Sequence, residues 1–333
     1  MSERKVRLNK SRARQGLDTC EFELALTGQN MKDLLKQPLI NAQGREYGSV
    51  EASRGKATIV LNLPKFVRDN NILPYSITES IKLEIIKNDC EYQLKQIFGN
   101  NMNTQITKIE VNVTQPVSGN ATQSDVQSLF RHAALPYASG DISVFVGSNR
   151  KCSLKDEDHS TRIPRKHYWY AKIYDKTQDI MDKKKKFNLP ADNIPQGLLR
   201  IEIALVDRTL TKLFGARKTL SDVLTQKNLL EILREYKRIF CDELVDKMIK
   251  PYLNACVKKL VESLTETENP IKTIAKEREL IPDILVLKKA LFRYMKMRGK
   301  TNNAARDAKR YAEQYDLPVD CIMTIKNFKI SCG

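Results

Sequence analysis

Up to about residue 208, apolar and polar residues alternate in short runs; beyond it, apolar residues recur every three to four positions. The first texture builds strands half-buried against a core, and the second builds amphipathic helices. Strand-like runs occur at residues 19–27 (TCEFELALT), 56–63 (KATIVLNL), 106–114 (ITKIEVNVT), 141–146, 168–174 and 198–206. Ser76-x-x-Glu79 and Thr122-x-x-Asp125 are spaced as N-terminal caps, predicting helices that run to Gly99 and past Ala133. The expected architecture is α+β. A basic, flexible segment (1–18) precedes an antiparallel-sheet domain with packed helices (19–208) and an all-helical domain (209–333). Within the last, residues 282–297 and 303–315 flank a turn at Arg298-Gly299-Lys300-Thr301, followed by a short β-prone tail over 320–330. That helix-turn-helix spacing suits either a DNA-reading module or two packed helices.

Charge narrows the choice of partner. Lysine and arginine outnumber aspartate and glutamate 57 to 40, a net charge of +17 that favours a polyanion. No apolar run is long enough to span a bilayer, and the charged amino terminus lacks a leader-like apolar segment, so a soluble cytoplasmic protein is expected. The seven cysteines are scattered and form no C-x-x-C pair, which argues against a disulfide frame or a zinc site. Neither G-x-x-x-x-G-K-[ST] nor G-x-G-x-x-G occurs, disfavouring an ATP-driven helicase or ligase.

The most unusual stretch is residues 166–176, KHYWYAKIYDK. As a strand it places Tyr168, Tyr170, Lys172 and Tyr174 on one face and Trp169, Ala171 and Ile173 on the other. Aromatic rings stack on bases, lysines track phosphates, and a tyrosine hydroxyl can attack a phosphodiester. The competing reading is an edge strand with half-buried tyrosines and solvated lysines. Two apolar strands also carry charged residues in alternate register: Arg200 with Glu202, and Glu110 with Asn112. Two glutamates on one sheet surface suit Mg²⁺ or Mn²⁺, whereas Arg200 and Glu202 could equally pair with each other. His132, His159 and His167 form no H-x-H pair.

Four blocks together resemble the filamentous-phage gene II/X-type replication proteins and, more distantly, plasmid rolling-circle initiators. They are ITKIEVNVTQP with Glu110, VFVGSNRK ending at Arg150 and Lys151, YAKIYDKTQD with Tyr174 and Lys176, and GLLRIEIALVDRTLTKLFG with Arg200 and Glu202. The resemblance spans roughly residues 50–220. It implies a metal-dependent nicking and joining enzyme in which Tyr174 attacks the scissile phosphate, leaving a 5′-phosphotyrosine and a 3′-hydroxyl primer. Lys176 and Lys172 would lower the phenol's pKa or hold the phosphate, and Glu110 and Glu202 would bind Mg²⁺ or Mn²⁺. Arg200, Lys172, Arg150, Lys151, Tyr170, Trp169, Arg165 and Lys166 would contact DNA. Implied partners are origin DNA, double- and single-stranded, a host helicase and polymerase, and a second copy in a homodimer. A non-cleaving origin-binding initiator and a mobilisation relaxase are the alternatives.

Overall fold

The computed structural model describes residues 14–26, 36–53, 55–68, 74–76, 79, 81–99, 103–137, 145–146, 160–165, 167–182, 195–216, 218–267, 269–300 and 303–331. Among the described residues nine strands form one sheet: β1 (Arg14–Ala25), β2 (Gln37–Ile40), β3 (Glu46–Ser53), β4 (Lys56–Asn62), β5 (Thr104–Pro116), β6 (Phe145–Val146), β7 (Ser160–Arg165), β8 (Trp169–Asp175) and β9 (Leu198–Val206). Their order is β2-β3-β4-β1-β5-β9-β8-β7-β6, with every pairing antiparallel. Long central strands β1, β5, β9 and β8 therefore lie side by side.

Period-two patterning decides which way each side chain points. Ile109, Val111 and Val113 of β5, Ala171 and Ile173 of β8, and Ile201, Ile203 and Leu205 of β9 are completely buried in one apolar core. Helices α1 (Leu63–Val67), α2 (Leu83–Phe98) and α3 (Gln123–Ala134) contribute to the same core. The alternate residues of the central strands face away from it, so a polar surface is an obligatory by-product of the apolar one. β1 departs from strict alternation: Leu17 and Cys20 both enter the core although they are three residues apart. A bulge between the pairs Leu17–Val111 and Thr19–Glu110 absorbs the extra residue, Asp18, and turns it towards the polar face. The expected boundary at residue 18 is thus too late, because residues 14–18 belong to β1.

Several other expectations change. Ser76-x-x-Glu79 does not cap a helix; α2 begins at Leu83, and Glu79 forms an ion pair with Arg68 at 2.6 Å. Thr122 and Asp125 do form the reciprocal capping box of α3. Of the expected strand at 141–146, only Phe145 and Val146 lie within the described residues, as β6. Strands β2, β3 and β7 were not anticipated.

After β9 the chain is helical. α4 (Lys176–Asp182) lies earlier, between β8 and β9, and beyond β9 come α5 (Asp207–Phe214), α6 (Leu220–Val223) and α7 (Gln226–Arg238). A π-helical segment, Ile239–Ile249, leads into α8 (Lys250–Thr265), then α9 (Pro270–Lys276), α10 (Ile284–Met297), α11 (Ala304–Tyr315) and α12 (Cys321–Ser331). The apolar interior does not divide at Arg208. Leu220, Leu229, Tyr236, Phe240 and Ile249 belong to the sheet's core, and a second core begins at Cys256 and ends at Leu317. The tail expected to be β-prone is instead α12, whose Cys321, Ile325 and Phe328 return to the first core at helical spacing. Tertiary burial there overrides the strand preference of its isoleucines. No helix among the described residues is long and apolar enough to cross a membrane.

Candidate active site

Strand register builds the site. Across β5 and β9, Asn112 stands opposite Glu202 and Thr114 opposite Arg200; across β8 and β9, Lys172 stands opposite Glu202 and Tyr174 opposite Arg200. One sheet face therefore gathers Asp18, Glu110, Tyr170, Lys172, Tyr174, Arg200 and Glu202. Their hydrogen bonds form a chain. Arg200 donates through Nη1 to Asp18 Oδ2 at 3.0 Å and through Nε to Thr114 Oγ1 at 2.8 Å. Tyr174 donates its hydroxyl proton to Glu202 Oε2 at 3.3 Å. The Lys172 ammonium spans both glutamates, 2.6 Å from Glu202 Oε1 and 3.4 Å from Glu110 Oε1. Tyr170 donates to Glu110 Oε1 at 3.2 Å, and Lys108 lies 3.5 Å from the same oxygen.

Three carboxylates, two lysines and an arginine are thus held in largely dry surroundings, where small geometric changes move protons. Burial holds the Tyr174 phenol well above its ordinary value; Arg200 opposes this, while Glu202 and Asp18 add to it. Burial and the neighbouring Glu110 also raise Glu202, against Lys172. Glu110 behaves oppositely: burial pushes it up, but Lys172 and Lys108 together hold its carboxyl below the ordinary range. Asp18 is raised by burial, with Arg200 opposing, and its Oδ1 has no hydrogen-bond partner. A neutral phenol beside a carboxylate with heightened proton affinity is chemically able to pass its proton to that carboxylate.

The sequence-derived residues divide into three groups. Glu110, Glu202, Tyr170, Lys172 and Tyr174 converge as described. Others are placed elsewhere or differently from expectation. Arg200 is completely buried and its guanidinium is taken up by Asp18 and Thr114, so it supports Tyr174 from within and does not reach a DNA phosphate. Trp169 is 2% exposed and belongs to the core, which removes it as a stacking platform for bases. Lys176 is 1% exposed, at the start of α4, and pairs with Asp179 at 2.6 Å. Burial and Arg200 lower it to about 8, against Asp179, and its ammonium lies 5.9 Å from the centre of the Tyr174 ring. Arg165 pairs with Glu243 at 2.7 Å. Arg150, Lys151 and Lys166, with His159, lie outside the described residues. His132 bonds locally to the Ser128 carbonyl and His167 lies 3.5 Å from Asp207, so neither joins the site.

Two contributors escaped sequence reading. Asp18 was hidden by the bulge, its only signal being the broken spacing between Leu17 and Cys20. Arg162 of β7 lies 4.1 Å from the centre of the Tyr170 ring, brought there by its register opposite Lys172.

The expected divalent ion meets a specific obstacle. An oxygen-loving cation between Glu110 and Glu202 would need the position that the Lys172 ammonium already fills. Among the described residues no three of His, Cys, Asp and Glu are grouped to hold an ion. As arranged, the residues fit an internal ammonium and not a metal. No family model, curated protein or solved structure matches this chain.

Proposed function

We propose that this chain is a rolling-circle replication initiator that nicks and rejoins one DNA strand through Tyr174. The observation that carries this reading is the Tyr174 hydroxyl resting on Glu202, a carboxylate whose burial favours taking a proton. In the forward step Glu202 accepts the phenolic proton as the Tyr174 oxygen attacks phosphorus. The bond from phosphorus to the 3′ oxygen breaks, a phosphotyrosine forms on the 5′ side, and the departing 3′ oxygen gains a proton from solvent. Joining is the reverse: a 3′-hydroxyl attacks the phosphotyrosine and the proton returns from Glu202 to Tyr174. No cofactor is consumed, because the linkage energy stays in the phosphotyrosine.

The remaining residues supply positioning and charge. Arg200, anchored by Asp18, hydrogen-bonds Tyr174 and supplies positive charge beside the developing phenolate. Lys172, with a 35% exposed side chain, and Lys108, with 23%, are the ammonium groups accessible to the incoming phosphate. The net charge of +17 supplies the general attraction to DNA. The test is a covalent adduct with a single-stranded oligonucleotide from the element's own origin that survives denaturation. Adduct formation supports the nickase; origin binding without adduct would leave a non-cleaving initiator.

A further inference from the structure

We infer that the outer surface of α10 and α11 is a binding surface for double-stranded DNA, separate from the tyrosine site. The two helices pack through Val286, Leu287, Ala290 and Leu291 on one side and Ala304, Ala308 and Ala312 on the other, all in the second core. Alanines at four-residue spacing form a smooth inner face on α11. α10 ends in a turn at Gly299, whose φ of +63 is a conformation that L side chains resist.

What these helices leave outside is rich in cations. From residue 284 to 310 there are nine lysines and arginines against one acid, Asp307, which is buried. On α10, Lys288, Lys289, Arg293 and Lys296 are exposed, as are Arg298 and Lys300 in the turn. On α11 the side chains of Arg306, Lys309 and Arg310 are 75%, 77% and 60% exposed at spacings of three and one. Asp307 reaches Arg310 at 3.4 Å and Arg306 only at 3.9 Å, and Glu313 reaches Lys309 at 3.9 Å, so little of this charge is neutralised. Like charges concentrated on rigid helices repel one another and lower stability unless a polyanion shares the surface. A helix with cations along one side fits a major groove, meeting phosphates on its rims. Exposed Phe292 alone is too little aromatic surface for stacking along a single strand. Duplex is therefore the partner the surface fits.

This inference does not depend on Tyr174 chemistry. The test is fluorescence anisotropy of the full chain on a labelled duplex of about three helical turns, across a salt series. The variant Arg306→Gln/Lys309→Gln/Arg310→Gln is compared with Lys56→Gln/Lys82→Gln/Lys95→Gln, which removes equal charge from elsewhere. The first should weaken duplex binding about tenfold and flatten the log–log salt slope by about 2 to 3, while the second stays within about threefold of wild type. Thermal melting should not fall in either variant, and adduct formation on a single-stranded oligonucleotide should be unchanged in both. Equal weakening by the two variants, no weakening by the first, or equal loss on single-stranded DNA would overturn the inference. Absence of adduct in the wild type would sink the nicking reading and leave this one standing.

Discussion

Lys172 is the hinge of the electrostatic network, and Lys172→Met isolates its contribution. Its ammonium lies 2.6 Å from Glu202 and 3.4 Å from Glu110. At an effective dielectric of about 20 these attractions are roughly 6 and 5 kcal/mol, and withdrawing the lysine from water costs several kcal/mol in return. Breaking a fully buried pair costs about 3–5 kcal/mol; with a 35% exposed lysine side chain the expected loss at pH 7 is about 2–3 kcal/mol. The pH dependence gives the sharper test. Lys172 helps hold Glu110 below its ordinary 4.5, a contribution present above that value and lost as pH falls through the lower folded value. Without the ammonium, two buried carboxylates face each other, both are pushed upward, and stability falls as pH rises through their raised values. The penalty should therefore be largest at pH 7 and shrink towards pH 4.5. Urea unfolding of wild type and variant at both pH values measures it. A penalty that is the same at the two, or under about 0.5 kcal/mol at pH 7, would refute the reasoning.

The same variant vacates the place between the glutamates, so Mn²⁺ should raise the melting temperature of Lys172→Met and leave wild type unmoved; stabilisation of both would mean that the ammonium does not occupy the ion's place. Glu202→Gln keeps the shape and deletes the base, so adduct formation should slow by about 10² to 10⁴. In wild type that rate should climb with pH as Glu202 loses its proton, the rise lying above the ordinary 4.5 because burial raises the group; a flat profile would exclude Glu202 as the acceptor. Trp169→Ala should cost about 3–5 kcal/mol of stability in chemical denaturation, since it empties a core position. A loss of DNA affinity with unchanged stability would return Trp169 to the surface.

Legibility in the sequence followed the strength of local patterning. β5, β8 and β9 alternate over many residues, so spacing could assign their buried and polar faces and put Glu110, Lys172, Tyr174 and Glu202 on the polar ones. What spacing could not convey is which strands become neighbours. From spacing Arg200 and Glu202 could have paired along β9 or served a phosphate and a metal, whereas the fold gives Arg200 to Asp18, on β1 beyond the intervening β5, and Glu202 to Lys172 of the adjacent β8. Short strands such as β2 lack enough residues to display a period. α12 was misjudged because isoleucine and threonine favour strands locally, while the Cys321, Ile325, Phe328 stripe acquires meaning only against a core built elsewhere. Burial depth was likewise invisible: Lys176 and Arg200 resemble surface cations until the fold encloses them.

The most direct test of the central claim is to trap the protein–DNA adduct, digest it with nuclease and protease, and locate the nucleotide-bearing residue by mass spectrometry. The account predicts a phosphodeoxynucleotide on Tyr174 and none in Tyr174→Phe, with the variant still binding DNA. A nucleotide on Tyr170 or Tyr168, or an adduct that persists in the variant, would contradict it.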